Sequence, residues 1–204
     1  MYLFMDTETG GLTPDRSLLT ASFIPVDKNF GIMPLTYFDP LMQRTEHAEC
    51  GLYLAIKPET YVIDQEALAV NKINIAEHER DAVPVDMARR LINSFVEAAR
   101  KESGKKYLVP AGHNVAFDVQ FLKAQIFTEE EWDRLFTYPF LDTASAARFL
   151  NAAGAIDGGY SLTTMRSKFL SADFGVAHNA EVDNLTTIAL AQKLTEFVQR
   201  RASA

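Results

Sequence analysis

Asp6 and Glu8 stand two residues apart in FMDTETGGL, inside a segment that otherwise reads as an apolar strand. Alternate side chains of a strand share a face, so Tyr2, Phe4, Asp6 and Glu8 point the same way, with the two acids last. Carboxylates are costly to bury unless a partner meets them. Two more acids share the oddity. Asp118 falls on one helix face with Phe121, Leu122 and Gln125. Asp183 falls on the stripe of Leu190, Leu194 and Phe197 in the last helix. One inward acid has a structural explanation, as a cap or an arginine partner. Four of them point to convergence, and converged carboxylates repel unless cations bind. Oxygen ligands without a Cys or His cluster select Mg²⁺ or Mn²⁺ over zinc. Two such ions about 4 Å apart are an apparatus for in-line displacement at a phosphodiester.

The elements that must position these acids follow from the pattern. Strands are predicted at 1–6, 18–26, 51–57, 106–112 and 138–142. Helices are predicted at 66–71, 84–102, 114–127, 129–136, just after 142, at 161–170 and from about 180 to 200. This alternation predicts an α/β fold, a mixed sheet with helices on its faces. Residues 27–50, with a strand at 34–38, read as an inserted hairpin or long loop in a single domain spanning 1–204. Met87, Leu91, Phe95 and Ala98 form the expected buried stripe of the long helix. Asn179 is the expected cap of the last helix, with His178 on the loop before it. His47 and His78 lie in polar stretches and are expected at the surface; Phe117 is expected in the core.

Composition narrows the function. A net charge of −7 argues against a broad basic surface for nucleic acid, but not against phosphate chemistry that works through cations. The single cysteine, Cys50, excludes an intrachain disulfide and any C-x-x-C zinc site. The start has no basic segment followed by a long apolar one, so a cytoplasmic protein without a membrane span is expected.

Three segments, MDTETGGL, HNVAFDVQFL and HNAEVDNLTTIAL, occur in an order and spacing that resembles the DnaQ-like, DEDD-type 3′→5′ exonucleases of the subgroup with a catalytic histidine. LDTASAARFL and ALAVNKI are similar to a strand end with its following helix and to a cleft-lining segment of that family. The resemblance implies an RNase H-like fold, a mixed five-stranded sheet flanked by helices. It implies that Asp6, Glu8 and Asp183 ligate two Mg²⁺ or Mn²⁺ ions, with Asp6 shared and Asp118 in support. It makes His178 the general base. It assigns substrate contacts to Thr9, Gly10 and the wedge Leu12, and to His113 and Asn114 at the second motif. The family often has a second Thr where Gly10 stands here. The implied activity is release of nucleoside 5′-monophosphates from the 3′ end of single-stranded DNA, in proofreading or repair, by a monomer or homodimer. RNA or short oligoribonucleotides are the alternative substrate. A non-catalytic nucleic-acid-binding module is disfavoured by the intact set of five residues.

Overall fold

The computed structural model of the chain describes residues 1–170 and 178–202. β1 (Tyr2–Thr9) and β2 (Leu18–Val26) pair antiparallel, with Glu8 opposite Thr20. β3 (Leu35–Asp39) and β4 (Arg44–Ala48) make a separate hairpin within 27–50. β5 (Leu52–Lys57) returns along β2 and leads to α1 (Gln65–Asn71) and α2 (Ile75–Asp81). β6 (Val83–Pro84) opens into the long α3 (Val85–Glu102). Then come β7 (Val109–Gly112), α4 (Ala116–Gln125), α5 (Glu129–Leu135), β8 (Leu141–Asp142), α6 (Thr143–Ala152), α7 (Leu162–Phe169) and α8 (Ala180–Ala202).

Among the described residues the main sheet has six strands, in the order β6-β5-β2-β1-β7-β8, rather than the five expected. The extra edge is β6, where Val83 and Pro84 run parallel to Ile56 and Lys57. Two residues cannot display a period of two, and Pro84 reads from sequence as the start of a helix. α2 was also absent from the expectation. Asn74 caps it by accepting from the N–H groups of Ala76 and Glu77.

Side-chain alternation along β1 divides the core. Leu3 and Met5 join Phe95 of α3 and Phe121 of α4 on one face. Phe4, with Tyr2 packed against it, joins Ile188 and Ala191 of α8 on the other. Asp6 and Glu8 continue this second row towards the start of α8. β1 also outruns its parallel neighbour: the last β1–β7 pair is Phe4 with Ala111, so both acids project past the end of β7. Ligand sites in open α/β sheets gather at such strand ends.

Two expectations about side chains are corrected. Met87 is exposed, and the buried stripe of α3 is Ala88, Leu91, Ile92, Phe95, Val96 and Ala99. His78 is buried, not at the surface. Its Nε2 lies 2.8 Å from the Leu19 carbonyl and its Nδ1 3.0 Å from the Tyr61 hydroxyl. The first contact requires the ring N–H at Nε2, so Nδ1 accepts from Tyr61. His47 is exposed on β4, as its polar surroundings predict.

Candidate active site

α8 reaches the sheet through Asn184, a buried residue absent from the sequence reading. Its Nδ2 approaches the Phe4 carbonyl at 3.1 Å and the Ser22 hydroxyl at 3.1 Å. Asn179 caps the helix, accepting from the N–H groups of Glu181 and Val182. Asp183, one turn in, is thereby placed over the end of β1. Oxygens of Asp6, Glu8 and Asp183 come within 4.8 Å of one another, and among the described residues this is the group that could hold a metal ion.

Asp118 stands beside that trio rather than in it. Its Oδ1 accepts both the Thr7 N–H (2.9 Å) and the Thr7 hydroxyl (2.7 Å). Thr7 is the residue between the two strand acids, so α4 approaches β1 from the opposite face to α8. His178 is exposed at φ 67°, and its N–H donates to Asp183 Oδ2 at 2.9 Å. That bond fixes the loop residue's backbone to the carboxylate cluster while its ring faces solvent.

The acids perturb one another strongly. Burial first, then the charges of Asp118, Glu8 and Asp183, hold Asp6 well above the usual carboxylate range. Burial, with the charges of Asp183 and Asp118, lifts Glu8 to about 8. Burial lifts Asp118 to about 7 against the two Thr7 hydrogen bonds, which favour its ionised form. Asp183 is raised by burial and held back by the His178 N–H, the His178 charge and Arg166. The cluster therefore needs protons or cations near neutral pH. It offers only oxygen donors, which fits a hard divalent ion.

A cleft of about 510 Å³ opens beside Glu8, lined by Thr7, Thr9, Gly11, Leu12, Asp64, Glu66, Ala67, Val70, Asn71 and Phe117. Leu12 stands at its mouth, 81 % exposed. α1, the ALAVNKI segment, supplies one wall, and Asn71 ties that wall to β1 by donating to the Thr9 carbonyl at 3.1 Å. Phe117 is half-buried: it packs against the core, its ring 5.1 Å from that of Phe121, and it also lines the cleft. Gly10 is a packing position. Its N–H is given to the Ser17 carbonyl, and a Cβ there would meet the Val62 carbonyl oxygen at 2.6 Å. That contact accounts for glycine where a second Thr was the family expectation. The Thr9 hydroxyl donates to the Gly11 carbonyl. His113 and Asn114 do not line the cleft. The ring nitrogens of His113 contact the Thr143 hydroxyl (2.9 Å) and the Tyr160 carbonyl (3.0 Å), and the Asn114 N–H donates to Asp142.

Ribonuclease T of Actinobacillus pleuropneumoniae serotype 5b (strain L20) is 28 % identical over 153 residues, 72 % of this chain and 64 % of that protein. E. coli exonuclease I, solved with a dT13 oligonucleotide, superposes with a TM-score of 0.70 at 18 % identity, covering 99 % of this chain and 42 % of that one. The two proteins share this fold along nearly the whole of this chain. Exonuclease X, solved with 5′ overhanging duplex DNA, has a TM-score of 0.56 at 18 % identity, covering 96 % of this chain and 92 % of that one. No family model matches the chain. The chain spans less than two-thirds of ribonuclease T and under half of exonuclease I. In the DnaQ-like fold seen here, the β1 acids, the α4 aspartate and the α8 aspartate all meet at one end of the sheet. Among the described residues no helix is long and apolar enough to cross a membrane.

Proposed function

We propose that this chain is a metal-dependent 3′→5′ exonuclease that releases nucleoside 5′-monophosphates from single-stranded ends. The observation that carries the reading is the meeting of Asp6, Glu8 and Asp183 within 4.8 Å, beside a cleft open to a terminal nucleotide. Asp6, Glu8 and Asp183 would hold the cations, two Mg²⁺ or Mn²⁺ ions by the chemistry of an all-oxygen donor set. When bound, such ions would supply charge neutralisation at a phosphate and a more acidic water. Asp118 fixes the strand between the two β1 acids through Thr7. His178, next to Asp183 on a solvent-facing loop, takes the proton from the attacking water. Leu12 and α1 hold the terminal nucleoside between them, which aims its 5′ phosphate at the carboxylates.

DNA is the first substrate proposed and RNA the second; the similarity to ribonuclease T and that to exonuclease I, solved with dT13, do not favour one over the other. The test is digestion of 5′-labelled DNA and RNA single strands of one sequence with Mg²⁺, Mn²⁺ or EDTA, beside Asp6→Ala. A metal-dependent ladder shortening from the 3′ end, absent in the mutant, is expected, and the faster strand names the substrate. A mutant that cuts like the parent chain would overturn the assignment.

A further inference from the structure

We infer that Arg148 and Tyr160 form a second contact for single-stranded nucleic acid, gripping a nucleotide on the 5′ side of the end held at the carboxylates. The inference rests on the exonuclease reading and goes beyond the carboxylate cleft.

The Arg148 guanidinium lies 4.6 Å from the centroid of the Tyr160 ring. Arg148 is exposed on the outer face of α6, and Tyr160 is 44 % exposed. A flat cation over a flat ring, both open to solvent, suits a nucleotide: the guanidinium faces a phosphate and the ring accepts a base. The next residue, Phe149, adds a second exposed ring (74 %).

The pair is built into the fold. The Tyr160 carbonyl is bound to His113 at the end of β7 (3.0 Å). The Gly158 carbonyl takes a bond from Asn151 of α6 (2.9 Å). The first anchor places the loop at the strand end next to β1, and the second ties it to α6. The His113 contacts otherwise have no role in the cleft. The local charge has the right sign. Between 143 and 170 the sequence holds Arg148, Arg166 and Lys168 against the single acid Asp157, in a chain of net charge −7. Lys168 reaches the same loop, its ammonium 3.4 Å from where a Gly158 Cβ would stand. An acidic peptide would use the charge and leave the ring idle; a single strand uses both.

The test compares the parent chain with Arg148→Ala, Tyr160→Ala and Tyr160→Phe. Binding of a 5′-fluorescein thymidine 12-mer is followed by anisotropy in EDTA over a salt series. Cleavage of the 12-mer and of a thymidine dinucleotide is followed with Mg²⁺. Arg148→Ala and Tyr160→Ala should weaken 12-mer binding about ten-fold. Arg148→Ala should also flatten the salt dependence by about 0.7 in log–log slope, one phosphate's worth. Tyr160→Phe, which keeps the ring, should bind like the parent chain. Dinucleotide cleavage should stay within about two-fold in every variant, because the inference assigns the platform to nucleotides that a dinucleotide lacks. Unchanged 12-mer affinity and salt slope in both alanine variants would overturn the inference. So would an equal loss on dinucleotide and 12-mer, which would place the effect at the carboxylates through His113. Preferred binding of an acidic peptide over the 12-mer would overturn it in favour of a protein partner. A parent chain that cuts neither strand defeats the exonuclease reading instead, and the anisotropy comparison still decides the platform.

Discussion

Glu8→Gln should make the metal-free protein more stable at alkaline pH while destroying its metal site. Burial and neighbouring charges lift the Glu8 pKa from 4.5 to about 8. At about 1.4 kcal/mol per pH unit, forcing the ionised form in the folded state costs roughly 5 kcal/mol. Glu8 is only partly buried and solvent screens its charge, so less than half of this, ~2 kcal/mol, is the expected gain from glutamine. The sign follows from proton counting. Folded Glu8 keeps its proton up to about pH 8, whereas the unfolded side chain releases it near 4.5. Between those values the folded state binds more protons, so the wild type loses stability as pH rises. The stability gap between Glu8→Gln and wild type should be near zero at pH 4.5 and complete above pH 8. For a chain of this size ~2 kcal/mol corresponds to about 4–8 °C in melting temperature. Thermal unfolding in EDTA from pH 4.5 to 9 measures the gap; adding Mn²⁺ should then stabilise the wild type and close or invert it. A gap that stays flat across this range would refute the electrostatic account of the cluster.

Other perturbations separate the roles of neighbouring residues. His178→Ala should slow cleavage about 10²–10⁴-fold while 12-mer binding stays within about two-fold, since the ring is assigned to proton transfer and not to affinity; single-turnover rates beside anisotropy check this. Thr7→Val removes the hydroxyl that favours ionised Asp118 and keeps the Thr7 N–H bond. The acid limb of the pH–rate profile should move up by roughly half to one pH unit, and an unmoved limb would detach Asp118 from catalysis. His78→Ala strands the buried Leu19 carbonyl and removes the partner of the half-buried Tyr61 hydroxyl. It should cost about 2–3 kcal/mol, read by urea unfolding.

The four acids were legible in sequence because each broke a pattern that the sequence itself declares. A period of two exposes Asp6 and Glu8, and a helical wheel exposes Asp118 and Asp183. The elements that carry them were legible for the same reason. What stayed hidden depends on contacts between distant segments. His78 looks polar by its neighbours, and only the fold brings Leu19 and Tyr61 to its two nitrogens. Phe117 satisfies a core pattern and a cleft wall equally well, because the side of α4 that borders the cleft is set by packing on β1. Gly10 looked like a donor to substrate; its N–H is consumed by Ser17, seven residues on, across a turn that no local pattern describes. The contribution of β6 was too short to carry any period at all.

The pair of hydrogen bonds from Thr7 to Asp118 has a consequence for how such a protein can decay. β7 pairs with β1 only as far as Phe4, and three residues later a carboxylate on α4 receives the Thr7 N–H instead. Asp118 thus serves the architecture as well as the chemistry, as Asp183 does through the His178 N–H, whereas Glu8 burdens the empty fold. A lineage that abandoned catalysis but kept this scaffold would shed Glu8 early and Asp118 late. Inactive descendants that had lost Asp118 alone, and melted no lower for it, would contradict that order.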